Sequence, residues 1–311
     1  MHAPKLKGHI FALITALIWG TTLVAARSLI QAGLRPVEII FARFFLAWIF
    51  LSILRPRGVF LPTTKAAFKA DRYMILAGVV LMPFYFLFEK TAVSYTTATN
   101  TSLFIAMAPL FIALLSCFVL KRGHVTKWFF IGAFVCLVGV FFVVTAGDLS
   151  VQLSPRGDVL ALFAGVGSAV YSLLSEKVTK DNVPPDRLVR MQRVFMYGLI
   201  SLVPLMPFFG FRLDFWRLID LNVFLMLVYL GLGASATAFI LWNEAIVRLG
   251  AVSAGLYIYL LPVITIIFAR IVLGEALNIF SALGAVLILC GLMVAENIFS
   301  RIMVHLREAS S

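Results

Sequence analysis

Ten runs of apolar residues, each close to 20 residues long, follow one another along the chain with short connections between them. About 20 residues of α-helix cross the ~30 Å hydrocarbon core of a bilayer. Because an open sheet would leave backbone groups unpaired in lipid, such runs must be helical. The predicted spans are 8–31, 36–54, 73–92, 98–119, 128–146, 157–176, 190–211, 221–243, 249–272 and 278–298. The sequence therefore predicts an all-α integral membrane protein with ten transmembrane helices.

The composition supports this fold class and excludes a soluble enzyme. Hydrophobic residues make up 62% of the chain and charged residues only 13%, whereas soluble domains contain about 25% charged residues. The connections between the apolar runs are too short to form a soluble domain of useful size.

The basic residues predict the orientation in the membrane. The formal net charge is +12, and most of the 26 Lys and Arg fall in cytoplasmic segments if the N-terminus lies inside. This is the positive-inside pattern. It predicts a multi-pass protein of the inner (plasma) membrane whose tails, residues 1–7 and 299–311, are both cytoplasmic. No basic groove with interleaved aromatic residues occurs, so nucleic acid is not an expected partner.

Cysteine and histidine usage narrows the possible chemistry. The three cysteines lie in separate spans, and the four histidines show no ligand spacing. We therefore expect no disulfide framework, no metal site, no cofactor and no catalytic constellation. A channel is also disfavoured, because no carbonyl-rich or acidic filter motif repeats along the chain. A carrier of small molecules is the remaining functional class.

The two halves of the chain share short patterns in the same order. Residues Ala92, Ala98, Leu103, Ile105 and Pro109 align with Ala245, Ala251, Leu256, Ile258 and Pro262. The pattern GAxxxLxG occurs from Gly132 to Gly139 and again from Gly284 to Gly291. We predict two five-helix repeats, residues 8–146 and 157–298. Because each contains an odd number of spans, the second copy is inverted, an arrangement typical of alternating-access transporters.

Four motifs resemble EamA-type members of the drug/metabolite transporter superfamily. They are Trp19-Gly20-Thr21, Arg43 within FARFFLA, the segment from YTTATNTSLF to APL, and Gly274-Glu275. The resemblance covers residues 8–298. It implies a carrier with two inverted five-helix repeats, often an exporter of amino acids or related compounds. A drug or multidrug carrier and a sugar-type metabolite carrier are the alternatives.

Arg43 is the residue whose position costs the most free energy, because its charged side chain lies ~10 Å inside the second span. One interpretation is structural, with Glu89 as an ion-pair partner at a similar depth or with snorkelling to the headgroups. The other is that Arg43 binds a substrate carboxylate. Glu89 is also the acid that lies furthest inside a span, so it is the candidate for proton coupling; the alternative is a facilitator or exchanger that moves no proton.

The residues predicted to line a substrate site are aromatic or polar and fall in the middle of their spans or at a helix start. They are Trp19, Thr22, Arg43, Tyr85, Asn100, Phe104, Tyr171 and Tyr257, with Ser168, Ser235 and Thr237 as further candidates. The alternative for these residues is a structural role, in helix packing or helix capping, instead of substrate binding. Aromatic faces and hydroxyls with little formal charge favour a neutral or aromatic amino acid over a phosphate-bearing solute. Pro109 and Pro262 are predicted to kink their helices and to act as hinges.

Overall fold

The computed structural model describes residues 3–56, 64–95, 98–121, 125–147, 154–181, 186–212, 220–273 and 279–296. These residues are helical or lie in short connections, and no β-strand occurs among them. The helices are α1 (Ala3–Gln31), α2 (Pro36–Leu54), α3 (Lys65–Ala70), α4 (72–95), α5 (98–119), α6 (Lys127–Thr145), α7 (Pro155–Asp181), α8 (187–209), α9 (221–249), α10 (251–273) and α11 (Ile279–Ala295). Thr96, Thr97, the Gly274-Glu275 motif and the tail 299–311 lie outside the described residues.

Seven stretches of the described chain are long and apolar enough to cross a membrane. They are Pro36–Leu54, Arg72–Ala92, Lys127–Thr145, Pro155–Asp181, Arg187–Phe209, Leu221–Leu249 and Ala251–Phe268. Two shorter apolar helices, Leu103–Phe118 and Ile279–Ala295, accompany them. The all-helical membrane fold is confirmed for this part of the chain, while the count of ten spans and the inversion of the halves stay predictions.

Polar side chains begin several of these helices and pair backbone N–H groups that would otherwise lack partners. The Thr126 hydroxyl accepts a hydrogen bond from Phe129 N at the start of α6. Asp220 Oδ1 accepts hydrogen bonds from Asn222 N and Val223 N at the start of α9. At the start of α2, Pro36 occupies the first turn, where its missing N–H costs nothing.

Two helices continue beyond the apolar runs that predicted them. The prediction ended the sixth span at residue 176 and the eighth at 243, whereas α7 continues to Asp181 and α9 to Leu249. Ion pairs one turn apart support both extensions: Lys177 with Asp181 in α7, and Arg248 with Glu244 in α9. Such pairs add to the stability of these turns, which also bury Val178 in α7 and Ala245 and Ile246 in α9.

The bundle has two recognisable ends. At one end, which we call the Arg55 end, Arg55 after α2 pairs with Asp186 before α8. The start of α1 is at this end too, since Gly8 packs against Arg248 at the end of α9. At the opposite end, the Arg35 end, Arg35 between α1 and α2 donates to Gly210 O after α8. Which end faces the cytoplasm stays a prediction.

Helices α6 and α11 pack together through glycines. A Cβ on Gly139 would lie 2.6 Å from Gly284 O, and a Cβ on Gly132 would lie 2.4 Å from Gly291 O. Only glycine permits such a close approach of two helix backbones. A separate and larger buried cluster joins α1, α2, α4, α5, α7, α8, α9 and α10, and it surrounds the candidate site.

Candidate functional site

Arg43 lies on α2 and is 8% exposed. Its Nε donates a hydrogen bond to Ser235 Oγ of α9 at 2.8 Å. The guanidinium lies over the rings of Phe44 and Phe86, with its central carbon 5.1 Å from each ring centroid. Because the side chain is enclosed by protein, it does not snorkel to the headgroups. Ser235 is the one residue of the described chain that accepts a hydrogen bond from this guanidinium.

Two wide helical segments hold these partners in place. Val80–Phe86 of α4 and Tyr229–Thr237 of α9 are both π-helical, and they supply Phe86 and Ser235 to Arg43. Pro83 lies inside the first segment and removes a backbone donor there. Such π-helical turns within longer helices are frequent at functional sites. The helix backbone that supplies the partners of Arg43 is therefore irregular in both α4 and α9.

The predicted ion pair between Arg43 and Glu89 is not formed. Glu89 Oε2 lies 3.3 Å from Lys90 Nζ instead, and this oxygen forms no hydrogen bond with a described residue. Glu89 is near enough to act on Arg43 as an attractive charge but lies beyond ion-pair distance, and the Ser235 hydroxyl accepts the hydrogen bond from Arg43 Nε instead. Roles of Arg43 and Glu89 in substrate binding or proton coupling stay predictions.

Next to Arg43 is a cluster of aromatic rings centred on Phe239 of α9. Its ring centroid lies 5.0 Å from that of Trp19, 5.6 Å from Tyr171, 5.8 Å from Phe195 and 5.9 Å from Phe44. Trp19 Nε1 donates to Ala234 O at 3.0 Å, so the indole is satisfied and its orientation is fixed. We call these five residues the Phe239 cluster. Offset and edge-to-face contacts of this kind stabilise ring packing.

A cleft lies on the other side of the Phe239 cluster, where Tyr171 forms part of its wall. The cleft is narrow, with a cavity volume of about 20 Å³, which is room for about one water molecule. It is lined by Ala77 of α4; Tyr171, Ser175, Val178 and Thr179 of α7; Arg187, Arg190, Met191 and Val194 of α8; and Ile240, Asn243 and Glu244 of α9. Phe44 carries Arg43 on its face and Tyr171 faces the cleft, so the Phe239 cluster separates the two.

Of the other predicted residues, Tyr85 lies close enough to Arg43 for an electrostatic interaction between the two side chains, and the rest make their contacts elsewhere. Tyr257 Oη lies 2.8 Å from His9 Nδ1 near the start of α1. The Thr22 hydroxyl donates to Trp19 O in its own helix, and Tyr85 packs against the Phe86 ring at 4.6 Å between centroids. Phe104 lies where α5 meets α7, since a Cβ on Gly165 would be 2.8 Å from Phe104 O.

Asn100 belongs to the first segment of α5, Ala98–Ile105, and its side chain lies outside the described part of the chain. The helices that carry the two predicted hinge prolines are irregular just before each proline. In α5 the helix is interrupted at residues 106–107, ahead of Pro109. In α10 the segment Leu256–Tyr259 is 3₁₀-helical, ahead of Pro262. A hinge role for either proline stays a prediction.

The sequence analysis missed a buried charge network at the Arg55 end. Asp71 is 1% exposed and accepts two hydrogen bonds from Arg193 Nη1, at 2.8 and 3.0 Å, and one from Tyr197 Oη at 2.6 Å. It also missed the cleft, although Tyr171, Ser175 and Thr179 recur every four residues on one face of α7. That spacing was the available signal.

No group of three or more His, Cys, Asp and Glu residues that could hold a metal ion occurs in the described ranges. The groups that the site offers to a solute are a buried guanidinium and aromatic faces.

Comparison with known proteins agrees with the membrane fold. The model of the EamA-like transporter family matches residues 6–145 and 155–296. An uncharacterized transporter of Archaeoglobus fulgidus is 30% identical over 298 residues, covering 92% of this chain and 96% of the relative. A probable terminal-alkyne amino-acid exporter of Streptantibioticus cattleyicolor is 28% identical over 314 residues, covering 99% of this chain and 98% of that protein.

A solved crystal structure has the same fold, with a TM-score of 0.75 at 21% sequence identity, and the alignment covers 95% of this chain and 98% of that one. The family match falls in two consecutive blocks that together account for nearly the whole sequence. The chain belongs to the EamA-like transporter family.

Proposed function

We propose that this transporter moves a small amphipathic metabolite, an amino acid or a related compound, across the inner membrane by alternating access, and that it works as an exporter. One similar protein is named a probable amino-acid exporter, which supports this class of cargo. A drug or multidrug carrier and a sugar-type metabolite carrier are the alternatives.

The observation that carries the proposal is the environment of Arg43. Its guanidinium is buried between two aromatic rings and donates to a single hydroxyl. A guanidinium offers five N–H donors and binds a carboxylate through two parallel hydrogen bonds. A solute with one carboxylate and an apolar or aromatic side chain fits this combination, whereas a phosphate-bearing solute calls for several basic side chains.

The Phe239 cluster supports a carrier mechanism over a channel. The rings of Phe44, Phe195 and Phe239 lie between Arg43 and the cleft, and each of these residues is at most 3% exposed. A channel requires a continuous polar path. An alternating-access carrier instead requires a barrier that opens to one side at a time, and a cluster of packed rings can form such a barrier.

The test is counterflow in proteoliposomes with a panel of labelled amino acids, sugars, nucleosides and drugs. We expect saturable exchange of neutral or aromatic amino acids. Arg43→Ala should lower it about 10- to 100-fold, because a charge-assisted hydrogen bond contributes about 1.5–3 kcal/mol and 1.4 kcal/mol is tenfold. Arg43→Lys should recover only part of the rate, since an ammonium lacks the planar fork.

Arg55→Ala is the matched control, because Arg55 also pairs with a single residue but is half exposed at the Arg55 end. It should transport at the parent rate. If the proteoliposomes exchange sugars or drugs but not amino acids, the proposed cargo class is wrong. Equal loss of transport and of folded protein in Arg43→Ala would make Arg43 a structural residue.

A further inference from the structure

We propose that His9, Tyr257 and Glu296 form a proton-binding site at the Arg55 end, and that a proton bound there holds α1 against α10 and keeps this end closed. The ligand is a proton taken up from the solution at the Arg55 end. The part that the site plays in transport rests on the proposed alternating-access mechanism, whereas the site itself rests on the contacts of these three residues.

The site lies where helices from the two halves of the chain meet. His9 belongs to the start of α1, Tyr257 lies in the first turns of α10, and Glu296 follows the last turn of α11. A hydrogen bond of 2.8 Å joins Tyr257 Oη and His9 Nδ1. Glu296 lies close enough to Tyr257 for its charge to act on the phenol group. The Tyr257 hydroxyl group therefore has both an imidazole and a carboxylate as neighbours.

The carboxylate of Glu296 has an oxygen that lacks a donor. Its Oε1 is buried and forms no hydrogen bond with a described residue, a costly state for a charged group away from water. His9 is partly exposed, and Lys5, Leu6 and Lys7 before it are exposed. Protons from the solution at the Arg55 end therefore reach the imidazole.

Protonation of His9 reorders the hydrogen bonds of the site. An imidazolium donates from both ring nitrogens, so Nδ1 donates to Tyr257 Oη whichever tautomer the neutral ring had. The phenol O–H then has to donate elsewhere, and a rotation of the Glu296 side chain brings Oε1 to it. The result is a chain of two charge-assisted hydrogen bonds, which are roughly twice as strong as neutral ones. The proton thus ties α1, α10 and α11 together.

The other charges at the helix ends around this site are exposed or already paired. They belong to Lys5 and Lys7 of α1, Lys121 after α5, Lys127 at the start of α6, and Arg248 and Glu244 of α9. The four lysines are exposed, and Arg248 forms an ion pair with Glu244. Histidine is the side chain whose charge ordinarily changes between pH 5 and 8. His9 is therefore the group through which the pH of the solution acts on this contact.

A second contact between α1 and α10 contains no titratable group. Nearer the Arg35 end, Thr265 Oγ1 donates to Gly20 O at 2.7 Å. The two helices are thus joined at two points, and only the one at the Arg55 end changes with a proton. Opening this end by moving α1 away from α10 breaks the hydrogen bond between His9 and Tyr257. A proton that binds the closed form more tightly than the open form shifts the population towards the closed form.

The experiment measures the separation of the helices at the Arg55 end as a function of pH, with no solute present. Spin labels are attached to Leu6→Cys on α1 and Val247→Cys on α9, which Gly250 joins to α10; both side chains are half exposed. The protein otherwise keeps only the buried Cys136. Electron paramagnetic resonance distances are recorded in nanodiscs from about pH 5.5 to about pH 8. We expect the ratio of short to long distances to fall about tenfold as the pH rises, the change that the loss of one charge-assisted hydrogen bond produces.

Three variants each remove one member of the site. His9→Gln keeps a side chain that can hydrogen-bond Tyr257 but binds no proton in this pH range, so the ratio should no longer depend on pH. Tyr257→Phe and Glu296→Gln should reduce the pH dependence, because each breaks the chain. Thr265→Val is the matched control, since it removes the uncharged hydrogen bond between α1 and α10. It should lengthen the distances at every pH and leave the pH dependence intact.

A pH dependence that persists in His9→Gln would overturn the site, and so would distances in the parent protein that stay constant or shorten as the pH rises. If Tyr257→Phe does not fold, Glu296→Gln decides, because an unchanged pH dependence in that variant refutes the chain. Counterflow separates this inference from the proposed function. A pH-dependent separation without amino-acid counterflow would contradict the proposed cargo and leave the proton site standing, whereas counterflow without a pH-dependent separation would overturn the proton site alone.

Discussion

Gly139 and Gly284 lie face to face, so that a Cβ on Gly284 would come within 2.5 Å of Gly139 O. Gly132 and Gly291 meet in the same way, and Cys136 Sγ donates to Ile288 O at 3.4 Å between them. These glycines come from the two copies of one sequence pattern. The first glycine of each copy meets the last of the other, so the two copies of the pattern run antiparallel where they pack.

Replacing Gly284 by valine should separate α6 from α11 and destabilise the protein by about 1–3 kcal/mol, the range typical of overpacking. Thermal unfolding in detergent, followed by size-exclusion chromatography, measures the effect. Leu283→Ala is the neighbouring control, because Leu283 is 52% exposed and faces away from the contact. Equal melting temperatures for the two variants would contradict a tight glycine contact.

Asp71→Ala should be more harmful than the loss of a surface ion pair. It leaves the Arg193 guanidinium, which is 20% exposed, and the Tyr197 hydroxyl without their carboxylate; removing one partner of a fully buried pair costs about 3–5 kcal/mol, which is the upper limit here. The double variant Asp71→Ala with Arg193→Ala should recover part of this stability. Asp186→Ala, which breaks the exposed pair with Arg55, serves for comparison. A double variant no more stable than Asp71→Ala would refute this account.

Trp19→Ala should lower transport by removing a ring from the Phe239 cluster and the hydrogen bond to Ala234 O. Trp128 is the matched control, since it is 45% exposed and far from the cluster in the described helices. Counterflow rates, corrected for the amount of folded protein, measure the difference. If Trp19→Ala transports at the rate of the parent protein, the Trp19 indole does not contribute to transport.

The carboxylate of Asp186 should give a measurable pH dependence of stability. Partial burial opposes its charge, but hydrogen bonds from Arg55 Nε and Leu188 N outweigh it and hold the pKa of Asp186 below its ordinary value. A depressed folded pKa stabilises the protein above the unfolded pKa, about 3.9, and this contribution disappears as the pH falls through the folded value.

Asp186→Asn keeps a capping oxygen but removes the charge. The parent should therefore be more stable than this variant near neutral pH, and the difference should shrink below about pH 4. Melting temperatures at a series of pH values check the sign. A difference that grows on acidification would mean that the pKa of Asp186 is raised.

The sequence by itself determined the helices, because in lipid each backbone group must pair within its own segment. It also determined that Arg43 is costly and that two glycine patterns repeat, since both can be read from position alone. Polar helix starts such as Thr126 and Asp220 belong to the same local information.

Only the tertiary structure decided which residues meet. Ser235 reaches Arg43 and Tyr257 reaches His9 across 192 and 248 residues of chain, and Glu89 turned out to contact its neighbour Lys90. The physical reason is that a helix such as α6 is apolar on every side. Lipid and protein core are equally apolar, so hydrophobicity does not specify which face of such a helix turns inward. The rotation of each helix about its own axis is set by close packing at glycines and by π-helical turns. Both depend on residues far apart in the chain.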